Sequence, residues 1–238
     1  MGLGDDSLSI VIPFYNEPEN AHAILTIIAN YRQSDIEWVL VNNGSTDQVT
    51  ASILESSEQI RYICLDANVG FGGGIKAGLQ AASSDYVAWM PGNLKVHPLA
   101  AKLLLDRFNM EPVRPAGLVL IKALRVGRGV VPQLKTTASS LLVSFFGKAK
   151  LTDIGGTPTL VSRECIPYLM DTPNDYSFEL AAYYILLGLD CHEVRIPSAY
   201  LPRIYGQTHW QFGLKPEIAL LRAQIKFVLE QRKMKHTK

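Results

Sequence analysis

Short apolar runs alternate with stretches of helical periodicity through the first half of the chain. Four of the runs are rich in β-branched or aromatic residues and end at polar or turn-forming positions, which predicts strands. These runs are residues 8–14, 37–42, 61–65 and 85–90. Helical patterns over 19–31 and 97–109, and a further helix after the NGSTD turn, accompany them. A strand repeatedly followed by a helix is typical of a parallel sheet, so we predict a Rossmann-like nucleotide fold.

The second half of the chain is less regular, and the pattern leaves its topology open. The predicted elements are a strand at 116–121, a glycine- and arginine-rich loop at 125–131, helices at 136–147 and 175–188 with a strand at 157–162 between them, a strand at 192–197 and a helix from Pro216. With 238 residues, of which 47% are hydrophobic, the whole chain (1–238) is long enough to form one large α/β domain.

The charge and cysteine content argue against several classes of function. The 23 basic residues nearly balance the 22 acidic ones, so no nucleic-acid partner is indicated. Cys64, Cys165 and Cys191 are odd in number and widely separated, which indicates neither a disulfide framework nor a zinc site and favours a reducing, cytoplasmic setting. The sequence predicts neither a signal peptide nor an apolar stretch of the roughly 20 residues that a membrane span needs.

Two segments bear on membrane association. Residues 136–150 have an apolar centre followed by Lys148 and Lys150, so this segment either packs in the core or lies in a lipid interface at the inner face of the membrane. A basic tail is either solvated or attracted to anionic lipid. It contains Lys226, Arg232, Lys233, Lys235 and Lys238. We therefore expect a soluble or peripheral protein, and the sequence leaves open whether it forms a homo-oligomer.

Three motifs occur in order along the first half of the chain. They are VIPFYNEPEN at 11–20, VNNGSTD at 41–47 and NVGFGGGIKAGLQAASSDYVAWM at 68–90. Through these motifs the chain resembles family 2 glycosyltransferases of the GT-A type. The later segments FELAAYYILLGLDCHEVRIP (178–197) and RIYGQTHW (203–210) are similar to the polyprenyl-phosphate sugar synthase branch, which includes dolichol-phosphate mannosyltransferases.

The resemblance implies a single GT-A domain with a mainly parallel central sheet flanked by helices. It also implies transfer of a sugar, with inversion, from a nucleotide-sugar donor to a polyprenyl-phosphate or glycan acceptor. Residues 1–122 would bind the donor and residues 123–238 the acceptor. The alternative from a different class is a catalytically impaired nucleotide-sugar-binding or scaffold protein with the same fold, because one motif of the family is altered.

The donor pocket is expected where the loops after the strands converge, at the carboxyl edge of the sheet. The resemblance implies that Pro13, Tyr15 and Glu17 shape the nucleoside pocket, with the Glu17 carboxylate accepting hydrogen bonds from ribose hydroxyls. Glu17 is otherwise a solvated carboxylate at a helix start. Asn42 and Asn43 stand where the family commonly has an acidic residue that contacts the base, and an amide can both donate and accept there.

Each remaining donor candidate in the first motifs has a structural alternative. Asp47 either contacts the donor or caps the following helix. Gly70 and Gly73 belong to a glycine cluster that allows the backbone to approach a ligand closely, and Lys76 would then place a positive charge beside a diphosphate. The alternative is tight packing of strand against helix, with Lys76 in solvent.

Pro91, Gly92 and Asn93 occupy the place where most of the family carries an acidic Asp-x-Asp-type motif that holds a divalent ion, magnesium or manganese, against the donor diphosphate. Hard ions prefer charged oxygen ligands, and Asn93 offers only a neutral carbonyl oxygen, so we expect weak metal binding at most. Three outcomes stay open: a weak site completed by substrate phosphates, stabilisation by cationic side chains without metal, or loss of catalysis.

Cationic side chains are candidates for stabilising the charge that develops on the leaving nucleoside diphosphate. Arg203 and His209 belong to the segment that the resemblance places near the diphosphate or a phosphate acceptor. Arg125 and Arg128, in the predicted loop, are candidates for binding the acceptor or a phosphate, since arginine is suited to bidentate phosphate recognition. Each of the four is otherwise a surface charge.

Acidic and aromatic candidates belong to the expected acceptor site. Asp175 opens a predicted helix and Glu179 follows one turn later on the same face, so both are candidates to take a proton from a hydroxyl acceptor. Asp175 is otherwise a helix cap. Asp153 matches a family aspartate before the acceptor-side strand, or else it bonds the adjacent loop. Trp210 either stacks on a sugar or base, or it packs in the interior.

Overall fold

The computed structural model describes residues 6–31, 35–58, 60–111, 117–206 and 214–235. Within these ranges seven strands form one sheet. They are β1 (Leu8–Phe14), β2 (Ile36–Asn42), β3 (Arg61–Cys64), β4 (Tyr86–Trp89), β5 (Val119–Val126), β6 (Thr159–Ser162) and β7 (His192–Ala199). The helices are α1 (Pro18–Asn30), α2 (Gln48–Glu55), α3 (Phe71–Ala81), α4 (Ala100–Asn109), α5 (Val130–Gly147), α6 (Phe178–Gly188) and α7 (Leu214–Lys235), with a 3₁₀ helix at Arg163–Leu169.

The strands lie in the order β3-β2-β1-β4-β6-β5-β7. β6 runs antiparallel to its neighbours β4 and β5, and the other pairings are parallel. The predicted α/β fold with a mainly parallel sheet flanked by helices is therefore confirmed. Because β6 is reversed, its first residue, Thr159, pairs with Trp89 at the end of β4. The loop that leads into β6 thus reaches the same edge as the carboxyl ends of the parallel strands, where ligands bind in open sheets.

Both faces of the central strands are covered. Val11 packs in one apolar cluster with residues of α3 and α6, whereas its neighbours Ile10 and Ile12 pack on the other face with residues of α1 and α4. All seven residues of β1 are buried. A strand buried on both faces has a continuous apolar sequence rather than an alternating one, which is why its bounds agree with the predicted run at 8–14.

The second half differs most from the predicted elements. β5 continues to Val126, because its parallel pairing with β7 extends to Ala199 and takes two residues from the predicted loop. α5 begins at Val130 rather than at residue 136. Val130 and Val131 in its first turn are exposed, so the spacing of buried apolar residues did not indicate where the helix starts. The reversed direction of β6 and the 3₁₀ helix were not predicted. The first residue of the predicted strand at 116–121 lies outside the described residues.

The start of α3 is packed tightly against the turn that precedes α6. A Cβ atom added at Gly72 would lie 2.5 Å from the Pro173 carbonyl oxygen and 2.6 Å from the Cβ atom of Phe178, closer than real Cβ contacts come. At Gly70, where φ is +84°, the added atom would lie 2.4 Å from the Asn174 carbonyl oxygen. These glycines therefore allow the turn to approach α3, which is the packing alternative for this motif.

We predict that Gly72→Ala lowers the free energy of unfolding by about 1–3 kcal/mol, because α3 or the turn must shift to admit the methyl group. Gly129→Ala is the matched control. Its backbone is ordinary (φ −62°, ψ 158°), and the added Cβ atom would meet only the Cδ atom of Pro132, at 3.7 Å. This variant should be neutral or slightly more stable. Urea unfolding measures both, and equal midpoints for the two variants would contradict the packing argument.

Candidate active site

A first cavity, of about 370 Å³, opens at the carboxyl edge of the sheet. Residues that follow β1, β2, β3 and β4 form most of its wall, and Tyr176 and Arg203 from the second half complete it. Most of the predicted donor residues line this cavity. They are Pro13, Tyr15, Glu17, Asn43, Gly70, Pro91, Gly92 and Asn93.

Glu17 and Arg203 form an ion pair at the wall of the first cavity. The two residues are 186 positions apart in the sequence, and the Arg203 guanidinium contacts Oε1 of the Glu17 carboxylate. The other carboxylate oxygen accepts a hydrogen bond of 2.5 Å from Nδ2 of Asn20, while Nε of Arg203 donates to the Tyr205 carbonyl oxygen at 2.7 Å. The structure thus brings together a predicted ribose ligand and a predicted phosphate ligand, and in this state their charges compensate each other.

Asn42 and Asn43 have different positions although they are adjacent. Asn43 lines the first cavity, accepts a hydrogen bond from the backbone N–H of Val69 at 3.2 Å, and donates to the Gly70 carbonyl oxygen at 3.0 Å. It therefore orders the loop after β3. Asn42 does not line the cavity; its amide donates to the Tyr62 hydroxyl at 3.1 Å and accepts from the backbone N–H of Ser45 at 2.9 Å. The expectation that Asn42 contacts a base does not match this buried position.

Asp47, Gly73 and Lys76 have structural partners outside the first cavity. Asp47 caps α2 by accepting a hydrogen bond of 2.5 Å from the backbone N–H of Thr50. The N–H of Gly73 donates to the Asn174 carbonyl oxygen at 3.0 Å. The Lys76 ammonium donates to two carbonyl oxygens after the 3₁₀ helix, of Met170 at 3.0 Å and Thr172 at 2.6 Å.

Lys76 therefore lies neither beside the first cavity nor in open solvent, contrary to both expectations. Burial of the Lys76 ammonium lowers its pKa, and the nearby Asp171 carboxylate opposes that shift. Its two carbonyl partners lie on the segment leading to the turn over Gly70 and Gly72. Lys76 thus fixes the segment that packs against the start of α3.

An aromatic pair separates the first cavity from a second, larger one. The rings of Phe71 and Tyr176 are stacked, with centroids 5.1 Å apart and planes inclined by 13°. Both residues line both cavities, as do Pro91 and Asn93. The sequence analysis did not select Phe71 or Tyr176. The available signal was their position, because Phe71 lies inside the glycine motif and Tyr176 follows the candidate Asp175.

The second cavity has a volume of about 610 Å³ and lies between the end of β5, α5, α6 and α7. Its wall includes Arg125 and Arg128, and also Lys135, which is paired with Glu217 of the same wall at 3.1 Å. The guanidinium carbons of both arginines lie over the ring of Tyr200, 5.4 Å and 5.6 Å from its centroid. The predicted acceptor residues Arg125 and Arg128 are thus brought together at one cavity, next to the first.

Asp153 holds Arg125 in place. Its Oδ1 accepts a hydrogen bond from Nε of Arg125 at 2.8 Å, and its Oδ2 accepts from the Arg125 backbone N–H at 2.9 Å. Burial raises the pKa of Asp153, but the hydrogen bonds and positive charge of Arg125 outweigh burial and lower it overall. Asp153 does not line the second cavity. Its position matches the loop-bonding alternative, and its effect on a ligand would act through Arg125.

The floor of the second cavity contains Glu179, which is paired with a lysine that the sequence analysis missed. Lys122, in β5, is fully buried, and its Nζ atom lies 2.9 Å from Oγ1 of Thr159 and 3.5 Å from Oε2 of Glu179. Oε1 of Glu179 accepts a hydrogen bond of 2.9 Å from Nε1 of Trp89, whereas Oε2 has no hydrogen-bond donor among the described residues. Burial lowers the pKa of Lys122 to about 8 and raises the pKa of Glu179.

Asp175 does not share a helix face with Glu179, contrary to the prediction. α6 begins at Phe178 with Ser177 at its N-cap, so Asp175 lies in the preceding turn. Its Oδ1 accepts a hydrogen bond of 2.7 Å from the backbone N–H of Ser177, and the residue is exposed and lines neither cavity. The helix starts later than predicted because the side chain of Asp175 stabilises a turn rather than capping a helix. His209 and Trp210 lie outside the described residues.

The residues at the expected metal position do not form a ligand set. Oδ1 of Asn93 already accepts a hydrogen bond of 3.2 Å from the backbone N–H of Lys95. In the described parts of the chain, no three His, Cys, Asp or Glu side chains are grouped so as to hold a metal ion. Among the described residues Asn93 would contribute at most one neutral oxygen to a divalent ion at this position.

Sequence comparisons connect the first half of the chain with known proteins. Residues 9–124 match the model of the family described as Glycosyl transferase family 2. The teichoic acid poly(glycerol phosphate) polymerase of Staphylococcus epidermidis is 28% identical over 108 residues, which are 44% of this chain and 15% of that protein. An uncharacterized glycosyltransferase of Synechocystis is 24% identical over 214 residues, 86% of this chain and 64% of that protein. The chain thus spans less than two thirds of the length of either relative.

Structural comparison extends over nearly the whole chain. The glucosyl-3-phosphoglycerate synthase of Mycobacterium tuberculosis, solved in complex with Mn²⁺ and uridine-diphosphate-glucose, has a TM-score of 0.69 at 19% identity, with 97% of this chain and 83% of that chain covered. At this identity the likeness shows the fold, and the predicted GT-A fold is confirmed. The polyprenyl-phosphate synthase branch stays a prediction.

We predict that Lys122→Met lowers the free energy of unfolding by about 3–5 kcal/mol, because it leaves the buried Glu179 carboxylate without its cation. The double variant Lys122→Met/Glu179→Gln removes both charges and keeps an oxygen for the Trp89 hydrogen bond, so it should recover part of this loss. Urea unfolding of the two variants and the wild type makes the comparison. A double variant less stable than Lys122→Met would contradict the pairing.

The same pair predicts a pH dependence. The pKa of Lys122 is lowered to about 8 from its ordinary 10.5, so the unfolded chain binds more protons than the folded chain between these values. The free energy of unfolding of the wild type, relative to Lys122→Met, should therefore rise as the pH increases through this window. Urea unfolding of both proteins at several pH values within it tests the sign. A difference that stays constant or falls would show that Lys122 is not desolvated.

Proposed function

We propose, because residues 9–124 match the model of glycosyl transferase family 2, that the chain transfers a sugar from a nucleotide-sugar donor in the first cavity to an acceptor in the second. The observation that carries this proposal is the junction between the cavities. Phe71, Pro91, Asn93 and Tyr176 line both cavities, so a sugar bound at this junction is within reach of groups on either side. Holding two reactants in adjacent, oriented positions is a large part of what a transferase contributes to rate.

Donor binding is proposed to exchange the Glu17–Arg203 ion pair for contacts to the nucleotide. Glu17 then accepts hydrogen bonds from ribose hydroxyls, while Arg203 turns to the diphosphate, which a guanidinium binds through two parallel hydrogen bonds. Asn43 borders the base, where its position is fixed by the loop after β3. The exchange costs one ion pair and yields two sets of charge-assisted hydrogen bonds, so it favours a complete nucleotide over a free sugar.

The proposed reaction is a direct displacement with inversion at the anomeric carbon. An acceptor oxygen forms a bond to this carbon while the bond to the diphosphate oxygen breaks, and the electron pair of that bond leaves with the nucleoside diphosphate. Arg203 stabilises the negative charge that develops on the leaving group. We route no step through a metal ion, because Asn93 and its surroundings do not supply a ligand set.

The acceptor is proposed to be a polyprenyl phosphate or a glycan. Arg125 and Arg128 in the wall of the second cavity suit an anionic group. If the acceptor is a hydroxyl, Oε2 of Glu179 lacks a hydrogen-bond donor among the described residues and is the candidate to take its proton. A phosphate acceptor is already anionic and needs no base. The proposed division at residue 122 is then not strict, since Tyr176 and Arg203 of the second half line the first cavity.

A second candidate function is binding of a nucleotide sugar without transfer. The observation that favours it is the Pro91-Gly92-Asn93 sequence, which places no carboxylate at the junction of the cavities. Both functions require the first cavity to bind a donor, and only the first requires turnover.

The test is a panel of nucleotide sugars, assayed for binding by calorimetry and for release of the nucleoside diphosphate, with membrane lipid extract or oligosaccharides as acceptors. Each assay is run with magnesium, with manganese and with excess chelator. Transfer with any donor supports the enzyme, and transfer that is insensitive to chelator supports charge stabilisation by Arg203. Binding without transfer under every condition supports the binding protein, and no binding of any donor overturns both.

We predict that Glu17→Ala weakens binding of the donor roughly 10- to 100-fold, because charge-assisted hydrogen bonds to the ribose are lost. The control is Glu19→Ala, which removes an exposed carboxylate two residues further along the chain and should leave donor binding unchanged. Calorimetric titration with the donor found in the panel compares the two variants. If both bind the donor as the wild type does, Glu17 does not contact the ribose.

We predict that Asn93→Asp makes transfer respond to manganese more strongly than in the wild type, because the new carboxylate supplies the charged oxygen that hard ions prefer. The control Asn30→Asp adds the same charge at an exposed site at the end of α1. Initial rates are measured over a range of metal concentrations. A response of Asn93→Asp equal to that of the wild type would show that Asn93 does not face the metal position.

A further inference from the structure

Most of the large apolar side chains of α5 are exposed. The residues Val130, Val131, Leu134, Leu141, Leu142 and Phe145 are exposed, at 46% to 78% of their accessible surface. At 100° per residue these six positions fall within about 120° of the helix circumference. We call them the α5 apolar face. The opposite side of the helix is buried and made of smaller residues, namely Ser140, Val143 and Gly147.

Close packing explains why the small side of α5 faces the protein. A Cβ atom added at Gly147 would lie 2.9 Å from the Tyr184 ring and 3.5 Å from Val228 of α7. The hydroxyl of Tyr184 donates to the Gly147 carbonyl oxygen at 3.0 Å. The orientation of the helix is therefore fixed by contacts on its buried side. The apolar face is directed outward by that packing, so an occupant of the face must come from outside the described chain.

The charge around the apolar face identifies the kind of occupant. Residues 127–150 include Arg128, Lys135, Lys148 and Lys150 and no Asp or Glu. Lys148 and Lys150 follow the last turn of α5 and are both exposed. Lys135 is paired with Glu217 of α7 at 3.1 Å, so the basic character lies mainly at the end of α5. A helix with an exposed apolar face and exposed lysines at its end has the composition of a segment that lies in the interface of an anionic membrane.

The shape of the face also favours a bilayer. α5 has 18 residues, which correspond to a length of about 27 Å, and the face is the convex side of one helix rather than a groove. No helix in the described ranges is long and apolar enough to cross a membrane. We propose that α5 lies in the surface of an anionic lipid bilayer, with its apolar face among the acyl chains and its basic residues at the headgroups.

The position of α5 connects this surface to the second cavity. Val131 belongs to the apolar face and also lines that cavity, as do its neighbours Pro132 and Lys135. A lipid-linked acceptor would thus enter the cavity from the bilayer without passing through water. This consequence rests on the proposed function, whereas binding to the bilayer does not.

Flotation with lipid vesicles tests the proposal on the full chain without any donor or acceptor. The probes are vesicles of phosphatidylcholine alone and vesicles of phosphatidylcholine and phosphatidylglycerol in equal parts. The wild type should float with the anionic vesicles and less with the neutral ones. Leu141→Ser and Phe145→Ser should each weaken binding roughly tenfold, because each side chain loses its burial among acyl chains. Lys148→Gln/Lys150→Gln should lower binding to the anionic vesicles only.

The matched control is Leu103→Ser. Leu103 and Leu141 are both 66% exposed, but Leu103 is on α4, which packs on the other face of the sheet. This variant should float as the wild type does. The proposal is overturned if the wild type floats with neither vesicle, if Leu141→Ser and Leu103→Ser float equally, or if Leu141→Ser dissociates a dimer of the wild type, which would make a second copy the occupant. Flotation without glycosyl transfer would overturn the proposed function and leave the membrane surface intact.

Discussion

The buried pair of Lys122 and Glu179 is the constraint that the second half of the fold depends on. Removing both charges from water is costly, and the cost is offset only while their partners stay in place. Those partners come from different elements: Thr159 begins β6, and Trp89 ends β4. These contacts therefore connect β6, its neighbours β4 and β5, and α6 at one point below the second cavity. A shift of any of them would leave a buried charge without compensation.

The candidate site is assembled across the two halves of the chain, and each half supplies what the other lacks. The loops of the first half form the wall of the first cavity, but its cation, Arg203, arrives from beyond β7. The second half forms the second cavity, but Phe71, Pro91 and Asn93 at its border come from the first half. Neither cavity is complete within one half, so the shape of each cavity depends on the packing of the halves against each other.

The sequence predicted the first half of the fold well because β1, β2 and β4 are largely buried and form short apolar runs. β1 is the clearest case, since all seven of its residues are buried and form one apolar run. The second half was harder to predict because the order of its strands depends on pairing between distant segments. β6 lies antiparallel between β4 and β5, and no local sequence pattern indicates the direction of a strand. The boundary of α5 was missed for a different reason, because its first turn has exposed apolar residues where a buried periodicity is expected.

The prediction of site residues also depended on whether their contacts are set by local sequence or by distant segments. Pro13, Tyr15, Glu17 and Asn93, which the family resemblance selected, line one cavity because loops after parallel strands converge. The partnership of Glu17 with Arg203 spans 186 positions, and Lys122 is a single lysine in an apolar strand without a motif around it. Its signal was the charge itself, since an isolated lysine within a buried strand requires a partner. The position of Lys76 was predicted wrongly because its carbonyl partners lie directly after a 3₁₀ helix that the sequence did not predict.

The border shared by the two cavities has a consequence for inhibitor chemistry. A single compound that fills both cavities contacts Phe71, Tyr176, Pro91 and Asn93 at its midpoint. Two stacked rings and a proline offer apolar contact there, and the Asn93 amide offers a donor and an acceptor rather than a carboxylate. A compound that spans both cavities would therefore carry a flat, uncharged linker with a complementary amide.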